Sequence, residues 1–155
     1  MAMLLSIAAI TLFGTAAVTD VRRRRISNPI SIGLALLGLL RMLLALVEGS
    51  GALTSALDVG AAAAVFALGA CAFHFGLLGG GDAKLLAAGA LWFGAAALGP
   101  YLMITVLAGG VLAVLFIAWR LATPGGMDPK TRPSLPYAVA IAAGGILTTA
   151  GALWS

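Results

Sequence analysis

Asp82 lies in Gly76-Leu77-Leu78-Gly79-Gly80-Gly81-Asp82-Ala83-Lys84, a glycine-rich stretch between two long apolar runs. A second acid, Asp20, closes the first apolar run of the chain, just ahead of four consecutive arginines. A charged side chain at membrane depth costs roughly 3 kcal/mol or more unless it is paired, hydrated or interfacial, so such acids are candidates for function. The structural alternative for Asp82 is an N-cap, its carboxylate accepting a backbone N–H of the helix that follows. Two carboxylates that meet at one water form a proton-transfer pair. One, ionised, draws a proton from the water while the other, protonated, donates to a carbonyl oxygen, and proximity forces their ionisations apart. That chemistry hydrolyses an amide without metal or covalent intermediate. Gly79 and Gly81 fit it, because residues without a Cβ let a substrate backbone approach closely and permit turns with positive φ.

The remaining polar residues offer less. Lys84 could support the turn, bind lipid phosphate or mark the cytoplasmic side of a membrane. Arg41, alone in an apolar run, reads as a snorkelling side chain or a partner of Glu48 or Asp58. His74 has no second histidine with which to share a metal, and Cys71, the single cysteine, offers neither a disulfide nor a zinc framework. Asp128 reads as a solvated surface acid. No metal and no cofactor is expected.

These residues must be positioned by membrane helices. The chain is 62% hydrophobic and only 9% charged, with a mean hydropathy of +1.12. Soluble domains are roughly 45–50% apolar and about 25% charged. The fold class is therefore an all-α integral membrane protein, one domain over residues 1–155. At about 20 residues per span there is room for around six helices. The pI of about 10.0 does not point to nucleic acid, since four of the nine basic residues form the run Arg22 to Arg25 beside an apolar helix.

Six helices are expected. The first covers residues 2–19 and is retained, since a cleavable signal would carry its basic residues ahead of the apolar segment. Asn28-Pro29 opens the second, residues 30–47. A polar turn at Glu48-Gly49-Ser50-Gly51 leads to the third, residues 53–75. Residues 85–119 are too long for one span, and Gly99-Pro100 predicts a hairpin that divides them. Residues 121–136 read as a loop outside the membrane and residues 137–154 as the last helix. Frequent alanine and glycine permit close packing of helices in lipid.

With both termini outside, the cytoplasmic loops hold Arg22 to Arg25, Lys84, Arg120, Lys130 and Arg132, eight of the nine basic residues. The outer loops hold Glu48 and Asp58 and no lysine or arginine, the bias expected of cytoplasmic loops. Asp20 and Asp82, 62 positions apart, then share the cytoplasmic edge, where they can meet.

At these residues the chain resembles a known family. Gly79-Gly80-Gly81-Asp82-Ala83-Lys84-Leu85 is similar to the G-x-G-D motif, commonly followed by x-K-L, of type IV prepilin peptidases. The stretch Asp20-Val21-Arg22-Arg23-Arg24-Arg25-Ile26-Ser27-Asn28 resembles that family's other aspartate region, with Ser27 where proline is frequent. Leu135-Pro136-Tyr137-Ala138 is similar to the proline–aromatic start of its last helix. The resemblance implies that Asp20 and Asp82 are catalytic, with Gly79, Gly81, Lys84 and Asn28 as motif support. It implies removal of the leader of a prepilin-like precursor on the cytoplasmic side of a prokaryotic inner membrane, the partner being a pilin or pseudopilin precursor with a hydrophobic helix. Paired cysteines of a methylating segment are not seen, so a peptidase-only member of the Flp, or tight-adherence, type is expected. No nucleic acid is implied.

Two other readings stand beside this one. A small transporter subunit or assembly scaffold would use the acids to relay protons or cap helices, but a transport acid belongs near the midplane, often in a broken helix. A G-x-G-D protease acting on preflagellins or other signal-type peptides would differ only in substrate.

Overall fold

The computed structural model describes residues 2–24, 26–122 and 136–154. Among them are five α-helices: α1 (Ala2–Arg23), α2 (Asn28–Val47), α3 (Ala52–His74), α4 (Gly80–Ala122) and α5 (Tyr137–Trp154). Each is long and apolar enough to cross a membrane. Large apolar side chains such as Leu36, Leu43, Phe66, Val106 and Leu115 are exposed on the outside of the bundle, as expected where lipid rather than water is the solvent. The proline of Asn28-Pro29 lies in the first turn of α2, where its missing N–H forfeits no bond.

The bundle is organised around α4, which packs against α2, α3 and α5, while α1 lies on α5 and α2 barely touches α3. Phe13 of α1, Leu34 of α2, Leu85 and Tyr101 of α4 and Ile141 of α5 form the buried core. Phe93 joins them, its ring centroid 4.8 Å from that of Tyr101 and 6.2 Å from that of Phe13. Glycine admits the close approaches this requires: a Cβ on Gly38 of α2 would stand 2.9 Å from the backbone of Leu91. In lipid, where burial of apolar surface drives little, such contacts supply the packing.

α4 corrects the expected division of residues 85–119. Helix continues through Gly99 and Pro100, and the non-helical residue is Gly94, at φ 67° and ψ 179°. The hydroxyl of Tyr101 donates to the carbonyl of Leu86 at 3.4 Å. In a straight helix those residues would be about 22 Å apart, beyond the reach of a tyrosine, so the arms 80–93 and 95–122 fold back on each other. The reversal is therefore where a hairpin was sought, but five residues earlier, and two expected helices are the arms of one.

Tertiary contacts explain the shift. Positive φ is readily available only to glycine, and a Cβ on Gly94 would lie 2.5 Å from Oδ1 of Asp58. That oxygen accepts the N–H of Ala95 at 2.8 Å, so a side chain from α3 caps the second arm as an N-cap residue would. Arg41 of α2 holds the same carboxylate through Nη2 at 2.7 Å, resolving its expected pairing in favour of Asp58 over Glu48. Pro100, sixth after the break, forfeits one helical hydrogen bond without ending the arm.

Candidate active site

Asp20 occupies the last turn of α1, which runs four residues past the expected end of that helix. The backbone N–H of Arg24 bonds the Asp20 carbonyl at 2.7 Å, with Arg24 at a positive φ of 50° that ends the helix. The Asp20 side chain is buried, and its Oδ2 accepts the N–H of Ala138 at 3.3 Å. Ala138 is the second residue of α5, and the first N–H groups of a helix have no partner within it. The acid that ends α1 thus caps the start of α5, a contact that spans 118 positions and fixes the carboxylate from behind. The guanidinium of Arg24 is close enough to act on it electrostatically.

Asp82 is the third residue of α4 and lies in its first turn. Its carboxylate reaches back to accept the N–H of Gly79, the half of a capping box in which an acid satisfies the orphan donor ahead of the helix. The capping alternative is therefore realised, but through one oxygen only. Oδ1 is buried and has no hydrogen-bond partner among the described residues, and an unpartnered buried acceptor is uncommon away from functional sites.

The glycines are close-fitting. A Cβ on Gly79 would stand 2.5 Å from Oδ2 of Asp82, and one on Gly81 would stand 3.1 Å from Ile26. The two acids share a cleft of about 250 Å³, lined by Asp20, Arg24, Ile26, Gly79, Gly80, Gly81 and Asp82. The charge of Asp20 is felt at Asp82. Such a pair in one small cleft can hold a water between an acid and a base.

Lys84 and Asn28 are placed differently. Nζ of Lys84 donates to Oδ1 of Asn28 at 3.2 Å, which ties the first arm of α4 to the start of α2. Neither lines the cleft of the acids; both border a separate groove of about 450 Å³ between α2, α3 and α4. His74 is exposed, its ring edge-on to Phe75, and Asp58 is committed to Arg41. Asp128 lies outside the described residues.

The residues that sequence reasoning missed are Arg24, Ile26 and Ala138. Arg24 was absorbed into a basic run with a topological explanation. Ala138 acts through its backbone, and its only signal was the proline–aromatic start of the last helix, which marks unpaired N–H groups.

A family model described as the type IV leader peptidase family matches residues 7–124. No match was found among curated proteins or among solved structures.

Proposed function

The chain belongs to the type IV leader peptidase family, and from that premise we propose that it is a membrane aspartic endopeptidase whose catalytic pair is Asp20 and Asp82. The observation that carries the proposal is the shared cleft. Two acids 62 positions apart, on α1 and α4, line one space together with the glycines that precede the second. The ionised member removes a proton from water, the oxygen attacks the scissile carbonyl carbon, and the protonated member gives its proton to the carbonyl oxygen. The tetrahedral diol then collapses: the acid that took the proton from water gives it to the amide nitrogen, the other carboxylate takes the proton of one diol hydroxyl, and the C–N bond breaks, which restores the starting pair.

The substrate is a prepilin-like precursor of the Flp type, cut on the cytoplasmic side just ahead of its hydrophobic helix. The orientation is supported by charge: Arg22 and Arg23 at the end of α1, Arg24 beside the acids, Lys84 near the start of α4 and Arg120 near its end gather at one end of the bundle. Counting the arms of α4 separately gives six crossings, with both termini outside. The short first arm, about 21 Å long at helical rise, is then the thinnest crossing and carries Asp82.

The test is co-expression with a Flp-type pilin precursor and single replacement by asparagine, which is isosteric and can still accept the Gly79 and Ala138 N–H bonds. Leader removal is expected to fall by at least about a hundredfold in both D20N and D82N, the range of acid–base contributions, at unchanged protein level. Continued cleavage in either variant overturns the dyad. No cleavage by the parent chain, with retained cleavage of a preflagellin, would move the substrate and leave the chemistry.

A further inference from the structure

At the end of the bundle away from the acids there is a further cavity, of about 540 Å³, between α1, α2, α4 and α5. Its walls are largely apolar, with Leu5, Leu44, Trp92 and Phe93 among them, yet Arg41 and Glu48 of α2 also line it. These two stand two helical turns apart, about 10 Å along the axis, with Glu48 at the C-terminal cap of α2. Their charges are not matched alike. Asp58 takes one N–H of Arg41 through Nη2, and among the described residues the Nη groups have no other acceptor; the Nε, also without an acceptor, is buried and not open to the cavity. Glu48 has no cationic partner among the described residues.

The cavity therefore offers spare N–H donors at depth, an unmatched carboxylate toward the membrane surface, and apolar walls. A purely anionic ligand would meet Glu48, and a purely cationic one would leave the open Nη donors of Arg41, whose charge Asp58 already balances, without an acceptor. The complementary molecule carries a phosphate below an ammonium and an acyl chain below both. We propose that this cavity is a binding site for one aminophospholipid of the phosphatidylethanolamine type, its phosphate on Arg41 and its ammonium on Glu48. The lipid enters from the leaflet opposite the acids and wedges the crossing of α1, α2, α5 and the reversal of α4. The site makes no use of Asp20 or Asp82 and stands whether or not they are catalytic.

Native mass spectrometry of the detergent-purified chain titrated with phosphatidylethanolamine, phosphatidylglycerol and phosphatidylcholine tests the assignment. One phosphatidylethanolamine per chain should be retained about fivefold better than either other lipid, the scale of one partly exposed charge pair. E48Q, which removes only a charge from an exposed side chain, should erase that preference. A45F, which puts a ring into the cavity, should reduce retention of all three. Equal retention of the three lipids by the parent chain, or a preference untouched in E48Q, overturns the proposal. So does soluble glycerophosphoethanolamine binding as tightly as the lipid, which would make the ligand a free phosphoamine, or a lipid-free dimer that A45F dissociates.

Discussion

Asp20 and Asp82 are each held by a backbone N–H from outside their own regular helical bonding, Ala138 for one and Gly79 for the other. Small changes in the backbone around them should therefore reach the chemistry without unfolding the bundle. Gly79→Ala is the sharpest case, because the added methyl would stand 2.5 Å from Oδ2 of Asp82 and must turn the carboxylate or lift the loop. Leader cleavage should fall about tenfold to a hundredfold, the cost of a displacement near 1 Å, with helix content by circular dichroism unchanged. Gly81→Ala meets only the side chain of Ile26 at 3.1 Å, which can give way, so its loss should be smaller; the reverse order would show that Gly79 has no part in orienting Asp82. Both acids and both glycines were legible in the sequence, since an acid among glycines between apolar runs is conspicuous whatever the fold. What holds Asp20 was not, because a backbone donor carries no residue signature and Ala138 has nothing to mark it but the helix start beside it.

The same division between local and tertiary signals governs the elements. Bounds of α2, α3 and α5 follow from apolar length, the Asn28-Pro29 start and the Glu48–Gly51 turn, all local, and they fall within two residues of expectation. The reversal of α4 is tertiary: Gly99-Pro100 carries the stronger local signal, but only Gly94 faces a carboxylate from α3 that can cap a new helix start. Substitutions should separate the two glycines. Gly94→Ala forces a side chain into positive φ and onto Asp58, and should cost at least about 1–3 kcal/mol, read as a lowered thermal midpoint in detergent. Gly99→Ala meets nothing beyond its chain neighbours, and the gain in helix propensity is opposed by the following Pro100, which disfavours helix in a residue with a Cβ, so its midpoint should move by less than that of Gly94→Ala. Asp58→Ala removes cap and ion-pair partner together and should cost more than Asp58→Asn, which keeps an acceptor for Ala95; the cap alone accounts for about 1–2 kcal/mol. Equal midpoints for the alanine and asparagine variants would mean that the bond to Ala95 contributes nothing to holding the reversal.

For the whole molecule, one consequence of the reversal at Gly94 is orientational. If α4 crossed once, Arg120 would lie at the opposite end from Lys84 and the basic residues would be divided between the two sides. Because its arms fold back, Arg120 returns to the end that holds Arg22, Arg23, Arg24 and Lys84, while Glu48 and the Arg41–Asp58 pair lie toward the other end. The bias of positive charge toward the cytoplasmic side supports the proposed orientation, with the acids inside. Accessibility labelling in intact cells checks this directly, starting from Cys71→Ser because the native thiol is exposed. Ser50→Cys, in the turn between α2 and α3, should react with a membrane-impermeant maleimide added outside. Leu77→Cys, exposed in the turn before α4, should react only after the cells are opened. The reversed pattern would put Asp20 and Asp82 outside, where a precursor awaiting export does not meet them, and the proposed cleavage would fail on topology even with the dyad intact. Labelling of both positions from outside would instead mean that α3 does not cross the membrane. In that case α4, which packs on it most extensively, would lose the neighbour that supplies Asp58.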